Sequence, residues 1–114
     1  MNRAESAALV RIPLSGSEFG TEADDSLVDR IEAAIRAALA QEPLAGEWDG
    51  HEFGGGWAVI YCYGRDPLPL LNRMAEALLP LELPPGVTLA LETRTPEGTE
   101  TRAVLSLACT TAAV

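Results

Sequence analysis

The apolar positions of this chain change their period several times, and each change marks a new element. In residues 7–14, Val10, Ile12 and Leu14 alternate with Arg11 and Pro13, which predicts a first strand with a proline at its end. A polar loop from Ser15 to Glu22 follows. Leu27, Ile31, Ala34, Ile35, Ala38 and Leu39 then recur at helical spacing, with Asp24, Asp25 or Ser26 as the expected cap and Pro43 as the limit.

Beyond Pro43 the period returns to two. Residues 44–53 predict a strand with the character of a charged sheet edge, and Trp57 to Tyr63 a second strand rich in strand formers. Gly54, Gly55 and Gly56 between them supply the positive backbone torsions of a short hairpin loop. Asp66 and Pro67 open a second helix with Leu71, Met74, Ala75, Leu78 and Leu79 as its apolar stripe, and Pro80 stops it. Pro84, Pro85 and Gly86 turn the chain into a strand over 87–91; a turn at 95–99 leads to a final strand over 102–109.

The order strand, helix, strand, strand, helix, strand, with one strand added at the end, predicts an α+β fold. The expected arrangement is a ferredoxin-like split βαβ sandwich, with two helices on one face of a mostly antiparallel sheet. The competing arrangement packs the last hairpin separately. A chain of 114 residues fits one domain, 1–114, with frayed ends at 1–6 and 110–114.

Composition narrows the function classes. Seventeen acidic residues against eight arginines and no lysine give a net charge of -9, a field that disfavours nucleic acid and anionic membranes as partners. The first residues are too polar, and their apolar run too short, for a signal peptide or a membrane span. Cys62 and Cys109 lie in apolar runs without Cys-x-x-Cys spacing and read as buried thiols of a cytoplasmic protein.

The segment from Gly46 to Trp57 concentrates the candidate chemistry: five of the ten glycines, both tryptophans and the single histidine. Strand alternation puts Glu47, Asp49 and His51 on one face and Glu52 on the other, which is too few ligands for a structural zinc site. Neither a metal nor a cofactor is expected. The triple glycine precedes a strand, so it lacks the context of a phosphate-binding loop, and Ser15 and Ser17 have no catalytic partner nearby.

The next strand has two distinct faces. Ala58, Ile60 and Cys62 share one; Trp57, Val59, Tyr61 and Tyr63 share the other. Assigning the compact set to the helices leaves the aromatic set on an open face, where a homodimer would cover it. The reverse assignment makes the aromatics core. An RNA-binding sheet face is disfavoured because basic flanking residues are missing.

The residues Gly46-Glu47-Trp48-Asp49-Gly50, then Gly54-Gly55-Gly56, then Tyr61-Cys62-Tyr63-Gly64 entering a helix, resemble the pattern of a small uncharacterised bacterial protein family. The resemblance spans about a third of the chain and implies no activity.

Trp48, Asp49, His51, Trp57, Val59, Tyr61 and Tyr63 are the candidate ligand or interface residues. The expected function is a non-enzymatic module that binds a protein or small molecule and self-associates through its sheet. The alternatives are an immunity or antitoxin protein using its acidic surface, and a small acid/base enzyme using His51 with Asp49 or Glu52.

Overall fold

A computed structural model describes residues 6–15, 20–95 and 97–106. Strand β1 (Ser6–Pro13) leads to helix α1 (Glu22–Gln41), a 3-10 turn (Pro43–Ala45) and the hairpin β2 (Glu47–Gly54) and β3 (Trp57–Gly64). Helix α2 (Pro67–Leu78) and the hairpin β4 (Thr88–Thr95) and β5 (Gly98–Ser106) complete the described chain. The strands form one antiparallel sheet in the order β2-β3-β1-β4-β5. The last hairpin therefore belongs to the main sheet, and β2 and β5 are its edges.

Both helices cover the same face. Ala8, Val10 and Ile12 of β1, Ala58, Ile60 and Cys62 of β3 and Leu89 of β4 join Val28, Ile31, Ile35 and Leu39 of α1 and Leu70, Met74 and Leu78 of α2 in one core. Full burial of side chains such as Ile31 and Ile35 contributes about 1.5–3 kcal/mol each before the entropy of ordering is counted. The aromatic side chains of β3 lie on the other face.

The helices start and pack differently from the sequence expectation in informative ways. The cap of α1 is Thr21, not Asp24, Asp25 or Ser26: the Thr21 hydroxyl accepts the Asp24 N–H at 3.2 Å while an Asp24 carboxylate oxygen accepts the Thr21 N–H at 2.9 Å. Asp24, the third residue of the helix, thus completes a capping box that closes two otherwise unpaired donors. It also accepts from the N–H of Ser15 at 3.0 Å, tying the end of β1 to the helix start. Val28 joins the buried stripe of α1.

In α2 the buried residues are Leu70, Met74 and Leu78, while Leu79, expected in the stripe, is 58% exposed. An i, i+4, i+8 row faces the sheet; Leu79, at the C-cap, is turned outward. Arg73 of α2 donates to Glu42 at the exit of α1 and to Glu76 in its own helix.

The Gly54-Gly55-Gly56 hairpin forms as expected, with Gly54 paired to Trp57 and only Gly55 and Gly56 in the loop. Both have positive φ, 62° and 85°, the requirement of a two-residue hairpin turn. Two other glycines are needed for close approach. A Cβ on Gly64 would lie 2.5 Å from the Ala45 carbonyl oxygen, and one on Gly46 would lie 2.6 Å from that of Tyr63. The 3-10 turn and the end of β3 are therefore in backbone contact. Ser6, expected to fray, opens β1 and is buried. Among the described residues, no helix is long and apolar enough to cross a membrane.

Candidate functional site

The segment between Gly46 and Trp57 divides its chemistry between the two faces of the sheet, and a β-bulge determines how. Trp48 pairs with Cys62 and Gly50 with the next residue, Tyr61, so Asp49 is an extra residue without a cross-strand partner. The alternation expected for Glu47, Asp49 and His51 consequently fails. Trp48, His51 and Phe53 stand opposite Cys62, Ile60 and Ala58, the residues that face the helices.

On that side, Glu32 of α1 is the centre of a small polar cluster. One carboxylate oxygen, Oε2, accepts from Trp48 Nε1 at 2.9 Å and lies 2.7 Å from His51 Nδ1. A carboxylate can only accept, so His51 Nδ1 carries the proton and Nε2 faces away from Glu32. Arg36, one helical turn beyond Glu32, places its guanidinium 4.5 Å from the centre of the Trp48 ring. The indole of Trp48 is therefore held at its edge by an acid and over its face by a cation. The His51 ring meets Phe53 edge-on at 5.3 Å.

Sequence reasoning singled out Trp48 and His51 but paired His51 with Asp49 or Glu52 and missed Glu32. The signal for Glu32 was an acid at a core-facing position of α1, between Ile31 and Ile35. Glu32 is only 7% exposed, so its two bonds offset the desolvation of its carboxylate. Beside Trp48, an open groove of about 680 Å³ runs between α1 and the β2 edge, lined by Ala33, Arg36, Ala37, Ala40 and Pro43 among others. His51 does not line it.

Cys62 lies beneath this cluster. Burial, with the Glu32 and Asp49 carboxylates adding to it, pushes its thiol up to about 12, so it remains protonated and unreactive at neutral pH. Cys109 lies outside the described residues. Among the described residues, no group of three or more His, Cys, Asp or Glu side chains could hold a metal ion.

The other four candidates, Trp57, Val59, Tyr61 and Tyr63, share the open face. Neighbouring strands add Leu9 and Arg11 from β1, Thr88, Ala90 and Glu92 from β4, and Thr101 and Val104 from β5. Leu9, Val59, Tyr61, Ala90 and Val104 form the floor of a trough of about 330 Å³, with Arg11 and Glu92 in its walls. The Arg11 guanidinium lies 4.9 Å from the centre of the Trp57 ring. Burial, the Glu52 charge and a hydrogen bond to Glu52 all raise the Tyr61 phenol above its ordinary value, which keeps it a neutral donor.

Compared with known proteins, the chain matches no family model, no curated protein and no solved structure.

Proposed function

We propose that this protein is a non-enzymatic binding module that self-associates through the open face of its sheet and holds a small ligand or partner there. The observation that carries the reading is the one-sided placement of the helices. It leaves Leu9, Trp57, Val59, Tyr61, Tyr63 and Val104 on a face that no described element covers.

Size supports a second copy as the cover. Five strands of about eight residues make a face of roughly 24 by 27 Å, or roughly 650 Å² in projection, comparable to the ~800 Å² that each partner contributes to a standard interface.

The strand order β4-β1-β3-β2, with β5 added beside β4, supports the ferredoxin-like split βαβ arrangement. The buried, unpaired Cys62 suits a reducing, cytoplasmic setting. The interface is tested by Val104→Glu, a change at a position 59% exposed in the single chain. Size-exclusion elution is expected to shift to the monomer with an unaltered circular dichroism spectrum; an unchanged assembly would count against this face.

A second reading is favoured by the Glu32–His51 hydrogen bond, because a carboxylate that holds Nδ1–H leaves Nε2 available as a general base. It gives His51 a role in proton transfer. Full retention of an activity, once one is found, by His51→Ala would eliminate that role.

A further inference from the structure

The geometry points to the trough on the open sheet face as a binding site for a small amphipathic monocarboxylate, its carboxylate on Arg11 and its apolar body on Leu9, Val59, Ala90 and Val104. This deepens the ligand-binding part of the proposed function and does not depend on self-association, since the trough is formed within one chain.

The argument begins with Arg11. It lines the trough, and its guanidinium is held over the Trp57 ring. Contact with an aromatic face satisfies the charge but supplies no acceptor for the in-plane N–H groups. Among the described residues, Arg11 forms no ion pair and no carboxylate or carbonyl accepts from its side chain. Trp57 thus holds a planar fork of donors toward one end of an apolar trough, the arrangement that binds a carboxylate in two-point fashion. The contact biases the exposed Arg11 side chain toward that position and so lowers the side-chain entropy lost on binding.

The remaining wall residues set the ligand's other properties. Thr88, directly opposite Arg11 in the register of β1 and β4, brings a hydroxyl to the same end. The floor is aliphatic apart from Tyr61, whose phenol is engaged by Glu52. Glu92 stands in the far wall, four residues along β4 from Thr88, about 13 Å at the rise of a strand. A second carboxylate on the ligand would meet that charge, so a monocarboxylate is favoured over a dicarboxylate. A volume of about 330 Å³ lies at the small end of the usual range for ligand sites.

Titration of labelled protein with phenylacetate and with hexanoate, followed by amide NMR, tests the site. Saturable shifts are expected at Leu9, Val59 and Ala90 with a Kd below roughly 1 mM, and at least about tenfold weaker binding for Arg11→Gln, as the loss of a charge-assisted pair implies. Arg11→Lys should also bind more weakly, because it keeps the charge and loses the fork. Neutral phenylacetamide and the dicarboxylate suberate should bind more weakly than the monoacids. Absence of saturable shifts, or equal binding by Arg11→Gln with a native amide spectrum, would overturn the inference. Sedimentation of the same samples separates the two proposals: a monomer that binds the monoacids refutes self-association alone, and a dimer that does not bind them refutes this site alone.

Discussion

Arg11 on β1 and Trp57 on β3 are diagonal neighbours on the open face, with the guanidinium 4.9 Å from the centre of the indole ring. Trp57 is 37% exposed, so the contact is partly solvated, and a coupling of about 0.5–1 kcal/mol is expected. A double-mutant cycle with Arg11→Gln and Trp57→Leu, read by urea unfolding, should recover that coupling. Strict additivity of the two changes would show that the contact does nothing to hold Arg11.

Glu32 should matter more to stability than its single charge suggests. Glu32→Ala leaves the Trp48 indole N–H and His51 Nδ1 without their acceptor at the junction of α1 and β2. A loss of about 1–3 kcal/mol is expected. Glu32→Gln retains an acceptor oxygen and should lose less. Equal losses for the two variants, measured by denaturant unfolding, would mean that packing alone explains the site.

Two glycines should respond unequally to the same change. In Gly64→Ala the new methyl meets the Ala45 carbonyl oxygen at 2.5 Å, where only backbone movement can relieve it. A cost of about 1–3 kcal/mol is expected. Gly54→Ala places its methyl in open space and should fall within about 0.5 kcal/mol of the parent. Thermal or urea unfolding of the pair provides the check.

The capping box should appear as an acid-dependent stability. Hydrogen bonds from the Thr21 N–H, then the Ser15 N–H, hold the Asp24 carboxyl below its ordinary value of 3.8. The unfolded chain therefore takes up this proton first as pH falls. The stabilisation is complete above the ordinary value and is lost as pH drops through the lower, folded one. The stability difference between the parent and Asp24→Asn should be constant near neutrality and shrink as pH falls below the ordinary carboxyl value of 3.8. A difference that is flat across that window would exclude the box as its source.

The hydrophobic period carried much of this architecture. The two helices, the glycine hairpin and the split of β3 into an Ala58-Ile60-Cys62 face and a Trp57-Val59-Tyr61-Tyr63 face follow from spacings of 3.6 and two. What the period could not convey was the bulge at Asp49, which breaks the strict alternation on which the Glu47-Asp49-His51 face depended. Gly50, an isolated glycine within a strand, was its local sign. Similarly, Thr21-Glu22-Ala23-Asp24 is readable as a capping box, but the later acids offered equally good caps. The partnership of Glu32 with Trp48 and His51 crosses from α1 to β2 at separations of 16 and 19 residues, and no local pattern reports such a contact.

Sedimentation equilibrium of the intact chain across a wide micromolar concentration range tests most directly whether the open sheet face is an interface. The account predicts a reversible species of about twice the 12.1 kDa chain mass, returning to the single-chain mass on Val104→Glu. A parent protein that stays at the single-chain mass throughout would contradict it.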